Sequence, residues 1–110
     1  MRKGLFEQVL IQIEGSKDGK EVGLMHEETG LALKRRLRKI QAELYAEYNQ
    51  FQKDITEVGQ IENEDERKQE LDKLINEDYE LKAEKASLLE IEKINSSFPY
   101  NFELIELIAL

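Results

Sequence analysis

Thr29–Glu66 reads TGLALKRRLRKIQAELYAEYNQFQKDITEVGQIENEDE, and its apolar spacing decides the fold. Leu33, Leu37, Ile40, Leu44, Tyr48, Phe51, Ile55 and Val58 recur in steps of 4, 3, 4, 4, 3, 4 and 3. At about 100° per residue these side chains share one narrow stripe, so residues 30–58 are expected to form a helix with one buried face. Glu43, Glu47, Lys53, Asp54 and Glu57 occupy the remaining circumference. The extra 4-step between Leu44 and Tyr48 is a stutter that relaxes supercoiling locally. Thr29 is the expected N-cap, because its hydroxyl accepts from an orphan backbone N–H. Gly59 is the expected stop, as a residue beyond the helix end in the left-handed region.

Asn63 is placed to cap a second helix. Glu66 stands three residues on, as in a capping box, and Glu64, Asp65 and Glu66 suit the positive end of the helix dipole. A link of about four residues forces the two helices to lie antiparallel. The second helix is expected over residues 64–94, which makes both helices about 43–47 Å long. Its seam toward the first helix is Leu71, Leu74, Leu81, Leu88 and Leu89. Asp78, Lys85 and Glu92 interrupt that seam at every seventh position, and polar residues there weaken it. Tyr79, Ala83, Ala86 and Ile94 point to another face and Ile91 to the opposite flank, so this helix wants a second neighbour.

The flanking segments are less decided. Val9, Ile11 and Ile13 alternate with Gln8, Gln12 and Glu14, and Gly15–Gly19 has turn chemistry. That pattern predicts a β-hairpin with strands near 9–14 and 20–25. The competing reading places Leu5, Phe6, Val9, Leu10 and Ile13 at helical spacing, with Gly15 as the stop. Pro99 breaks the chain after the second helix. Residues 102–110 are strongly apolar and are expected to form a short helix, with a strand as the alternative. Exposed, they would be a sticky patch, so they must fold back or bind a partner. The fold class expected is mainly α: a long antiparallel, coiled-coil-like two-helix hairpin with a small N-terminal β-hairpin and a short C-terminal apolar helix, in one domain over residues 1–110.

Composition agrees with thin helical packing: of 110 residues, 36% are charged and only 7% aromatic, with a single proline. The formal charge of −8 opposes general binding to nucleic acid or to an anionic membrane. No apolar run approaches the ~18–20 residues of a membrane span. Glu7, Gln8, Gln12 and Glu14 interrupt any signal-peptide core. There is no cysteine, which removes thiolate chemistry and Cys-based zinc sites. A soluble, cytoplasmic protein is the expectation.

No constellation carries recognisable chemistry. His26, the only histidine, lacks a second His for a zinc motif and reads as an ordinary loop residue. Glu62, Glu64, Asp65 and Glu66 lack the alternating ligands of a calcium loop and read as caps on a solvated turn. The glycines match no nucleotide-binding fingerprint. No catalytic residue, metal, cofactor or small-molecule ligand is therefore expected.

The sharpest feature is Lys34, Arg35, Arg36, Arg38 and Lys39: five cations in six residues. Residues 42–81 carry 13 acids and 4 bases, so the hairpin's turn is negative and its open end positive. This cluster is either a solvated face with local pairs such as Arg38–Glu84, or a docking patch for an acidic partner such as another copy. Contact with nucleic acid is a third reading, disfavoured by the scarcity of stacking aromatics. Tyr79, Ile91, Ile94, Phe98, Phe102, Ile105 and Ile108 form the candidate apolar association surface. The expected function is a non-enzymatic protein–protein interaction or assembly protein that self-associates, with a nucleic-acid-associated regulator as the alternative.

Overall fold

Helix α1 (Phe6–Ile13) already departs from the strand expectation, in a computed structural model that describes residues 1–110. Phe6, Val9, Leu10 and Ile13 are buried, whereas Ile11, which alternation would have buried with Val9 and Ile13, is 43% exposed. The 3.6-residue period therefore prevails over the period of two. A β-hairpin follows, later than expected: β1 (Gly15–Lys17) pairs antiparallel with β2 (Lys20–Val22), with Gly15 opposite Val22. Asp18 and Gly19 have φ of 52° and 75°, as the two central residues of a type I′ turn require. Gly23, at φ 111°, brings the chain back against α1, where a Cβ would lie 2.7 Å from the Ile13 carbonyl oxygen. A 3₁₀ turn (Leu24–His26) buries Leu24 and leads to the long helix.

Helix α2 (Leu31–Val58) buries the expected stripe: Leu33, Leu37, Ile40, Leu44 and Phe51 are buried and Tyr48 and Ile55 half-buried. Its ends differ from expectation. Gly30 is the N-cap, and the Thr29 hydroxyl is buried without a partner instead of capping. Gly59 has φ −61°, in the right-handed region. The helix unwinds through Gly59 N–H to Ile55 (2.9 Å), Gln60 N–H to Glu57 (3.1 Å) and Ile61 N–H to Val58 (3.1 Å). These bonds satisfy the last carbonyls without a left-handed residue.

Helix α3 (Glu64–Asn76) packs against α2 as the second arm of the hairpin. Asn63 caps it as expected, its Oδ1 accepting from Glu66 N–H at 3.0 Å. The helix then stops at Asn76, well short of residue 94. The cause lies at the other end of the chain. Lys3 N–H donates to the Glu77 carbonyl (3.0 Å) and Tyr79 N–H to the Met1 carbonyl (2.6 Å), and Arg2 bridges antiparallel to Asp78. Gly4 permits this approach, because a Cβ there would lie 2.7 Å from Ile75 Cγ2. The first residues thus take the backbone groups that another helical turn would need.

Residues 77–87 continue as an extended strap beside α2. The strap leads to α4 (Leu88–Glu92), capped by the Ser87 hydroxyl, and then to α5 (Phe102–Ile105), capped by Asn101. Asp78, Lys85 and Glu92 are exposed and interrupt no seam, and Leu89 is 61% exposed. The apolar tail folds back. The Ile108 carbonyl accepts from Ala86 N–H, and Leu110 N–H donates to the Ala86 carbonyl, both at 2.9 Å, so Ala86 and Ala109 form a parallel bridge. Helix α5 packs on α1, and Asn101 N–H donates to the buried Gln12 side chain at 2.8 Å. Fifteen buried apolar residues from α1, α2, α4, the tail and the connecting segments form one cluster.

Ile108 is fully buried in that cluster. Ile108→Ala should cost about 2–5 kcal/mol in chemical denaturation, through lost transfer energy and a cavity. A loss below about 0.5 kcal/mol would mean that the tail is not part of the core.

Candidate interaction surface

The basic cluster is divided by the helix that carries it. Leu33, Leu37 and Ile40 turn inward, so Arg35, Arg38 and Lys39 project from the opposite side of α2 and are exposed, with Lys34 beside them half-buried. Arg36 lies on the flank next to the strap. Its Nη1 sits 2.7 Å from Glu84 Oε2 and donates to the Lys85 carbonyl at 3.3 Å. The pair expected between Arg38 and Glu84 is therefore made by Arg36, because Arg38 lies roughly 200° further round the helix. Lys34, Arg35, Arg38 and Lys39 form no ion pair in the chain.

Glu43 lies two turns beyond Arg36 on the same flank, and nothing in its sequence surroundings marks it out. Its carboxylate accepts from Lys82 N–H (2.8 Å), from Ala83 N–H (2.7 Å) and from the Tyr79 hydroxyl. Burial alone would raise this carboxyl. The amides of Lys82 and Ala83, the Tyr79 hydroxyl and the Lys82 charge outweigh it and hold Glu43 below its ordinary value. Tyr79 is driven the other way, by burial first and then by donating to the Glu43 carboxylate. Its ring stands edge-on to Phe6, with centroids 5.5 Å apart, and Phe6 meets Phe51 in the same manner at 6.0 Å. A carboxylate, a phenol and two amides thus fasten the strap to the middle of α2.

The expected apolar association surface is dispersed by the fold. Ile91, Ile105 and Ile108 are core residues, at most 2% exposed, and Tyr79 is engaged with Phe6 and Glu43. Ile94 and Phe98 are half-buried, and Phe98 packs edge-on against Tyr100 at 4.7 Å. Only Phe102, at 40%, counts as exposed. The early break at Asn76 and the folding back of the tail are the reasons: Tyr79, Ile91 and Ile94, read on one long helix, lie on the strap, on α4 and beyond it, and Ile105 and Ile108 of the tail turn into the core. The exposed apolar side chains near the basic cluster are instead Leu31 (58%) and the terminal Leu110 (83%). A shallow groove of about 260 Å³ beside them is lined by Ala32, Arg36, Lys85, Glu90 and Leu110, among others.

The acidic turn lies at the far end of the hairpin, in a molecule 50 Å long. Glu62, Glu64, Asp65 and Glu66 are all exposed, and only Glu64 has an ion-pair partner, Lys68 at 3.2 Å. A second cleft of about 260 Å³ lies between the β-hairpin and residues 96–99. His26 reaches it from the 3₁₀ turn, with Glu21 at 3.6 Å and Glu14 at 3.9 Å. Burial, and then a 2.7 Å bond to Glu27, raise the Tyr100 phenol nearby. No three His, Cys, Asp or Glu side chains are arranged to hold a metal ion, and no helix is long and apolar enough to cross a membrane.

Because Glu43 ionises more readily folded than unfolded, its contribution is complete above its ordinary value of 4.5 and is lost as the pH falls through the lower folded value. Glu43→Gln should therefore flatten the acid limb of the stability–pH curve, measured by urea denaturation. Glu43→Ala, which strands three donors, should cost about 1–3 kcal/mol at neutral pH. Acid limbs that coincide in wild type and Glu43→Gln would refute the clamp. No family model, curated protein or solved structure matches the chain, so the functional reading rests on its own geometry.

Proposed function

We propose that the chain is a non-enzymatic protein–protein interaction and assembly protein that associates with copies of itself through the outer face of α2. The observation that carries this reading is a local imbalance. Lys34, Arg35, Arg38 and Lys39 stand together without an ion-pair partner in a chain whose acids outnumber its bases by 24 to 16. Folding uses the apolar tail internally, so the tail no longer competes as the docking element. What the fold leaves uncovered is a cationic face with Leu31 at its edge, which suits a carboxylate-rich protein surface.

Exposed ion pairs contribute about 0–1 kcal/mol each, so such an association is weak, in the micromolar-to-millimolar range. It is also salt-sensitive, because exposed charges are screened beyond about 8 Å at physiological ionic strength. Sedimentation velocity over a concentration series should give a mass above the monomer at about 0.05 M salt and the monomer at about 0.5 M. The double variant Arg35→Glu/Arg38→Glu should remain monomeric in both. A wild-type chain that is monomeric at millimolar concentration in low salt would rule out self-association.

The second reading, a nucleic-acid contact, is favoured by one observation: the four cations share a helical face. Four phosphate contacts would make log K fall against log salt with a slope of about −3.6. Fluorescence anisotropy with duplex DNA and RNA decides it, and absence of binding at low salt would end this reading.

A further inference from the structure

We infer that the surface docking on the cationic face of α2 is the acidic turn of a second copy, so that the chains associate head to tail. The inference rests on the self-association reading above and adds the partner surface and the way the contact repeats.

The chain cannot neutralise its own cluster. Lys34, Arg35, Arg38 and Lys39 have no ion-pair partner, and Arg36 alone is compensated, by Glu84. Lys39 and Val58 are 19 residues apart on one helix, or about 28 Å along its axis. That is more than three Debye lengths at physiological ionic strength, so the acids beyond Val58 exert almost no field on the cluster of the same molecule.

Those acids form the complementary surface. Residues 57–66 include Glu57, Glu62, Glu64, Asp65 and Glu66 and no base. Glu62, Glu64, Asp65 and Glu66 are exposed, and of these only Glu64 has an ion-pair partner. Glu64, Asp65 and Glu66 fall within one helical turn, about 5.4 Å, and the four cations span about 7.5 Å of α2. Two compact patches, each of four like charges, thus match in size and are opposite in sign.

Their placement sets the geometry. The acids lie at the tip of the hairpin, past the end of α2, and the cations on the outer side of α2 near its start. Two copies laid face to face along α2 leave the cations unmet, because the far end of that face, at Lys53 and Thr56, carries no acid. Cluster against cluster sets cation on cation, and tip against tip sets acid on acid, which like-charge repulsion disfavours. Cluster against tip is the pairing of opposite sign. It joins different surfaces of the two copies, so it is heterologous, and it leaves a free cluster on one copy and a free tip on the other. A further copy can add at either end, and the assembly grows with concentration instead of closing at two. Charge separated along a 50 Å molecule also orients approaching copies end to end.

Charge-exchanged variants test this. Arg35→Glu/Arg38→Glu leaves two cations and two acids in the cluster, and Glu62→Lys/Asp65→Lys leaves two acids and two bases at the tip; all four replaced side chains are exposed. Each variant alone should sediment as the monomer at about 0.05 M salt. Their equimolar mixture should reach twice the monomer mass and no more, because one intact tip meets one intact cluster and neither outer end can extend. The wild type should pass that mass as its concentration rises. A second readout needs no substitution. Carbodiimide joins a lysine to a carboxylate in direct contact. In a mixture of isotope-labelled and unlabelled wild-type chains, links between copies should run from Lys34 or Lys39 to residues 62–66, and should disappear at about 0.5 M salt. If the wild type associates but the mixture stays monomeric, or these links are missing, self-association stands and the head-to-tail contact falls. A wild type that stops at two subunits overturns it as well. If the wild type is monomeric throughout, the self-association reading itself falls.

Discussion

The carboxylate of Glu43 governs where the second half of the chain goes. It accepts from the amides of Lys82 and Ala83 and from the Tyr79 hydroxyl, and so holds residues 77–87 extended against the middle of α2. With the strap in place, Ala86 can pair with the returning tail, and Tyr79 can cover Phe6. Arg36, seven residues earlier on the same flank, adds a second fastening through Glu84 and the Lys85 carbonyl. A continuous helix through the same residues would not offer the amides of Lys82 and Ala83 or the carbonyl of Lys85, because these would be bonded within the helix.

Much of this architecture is legible in the amino-acid pattern. The stripe from Leu33 to Ile55 specifies α2, because no other period explains so many apolar positions in succession. Asn63 announces the start of α3, and Asp18-Gly19 has the chemistry of a tight turn. The end of α3 is not legible. Between Gly59 and Pro99 there is no glycine or proline, and residues 77–87 contain no β-branched side chain. Apart from the Ser87–Glu90 capping signature that opens α4, no local signal opposes a continuous helix. The competing interaction comes from Met1–Lys3, 74 residues or more away, and no pattern in either segment marks the pairing. The same break and the returning tail scatter the apolar association surface, since Ile91, Ile105 and Ile108 share a core and not a face. The cationic residues are visible as a cluster. Which of them is compensated depends on the helix flank, and Glu43 reads like any other exposed glutamate on α2.

The division of labour between apolar and charged surface follows from this route. The apolar side chains of the tail and of α1 are gathered on the inner side of α2, where a helix hairpin alone would have left them open. The outer side of α2 keeps its charges because nothing in the chain returns to it. Opposite charges are left at opposite ends of a 50 Å molecule, a distance across which they do not interact in saline. That separation lets both ends respond to a neighbour and neither to the other.

The extended strap also orders events in time. Helical turns close over four residues and form in well under a microsecond, whereas contacts between distant residues wait for large loops to close. Residues 77–87 have the composition of a helix, and the contacts that extend them reach Glu43, the first residues of the chain and the tail. A newly collapsing chain meets the local option first. Any helical turn formed early in this segment must open before its amides can reach the side chain on α2 and the two chain ends. The strap is therefore the part of the molecule whose native form depends on contacts that arrive from both ends of the chain.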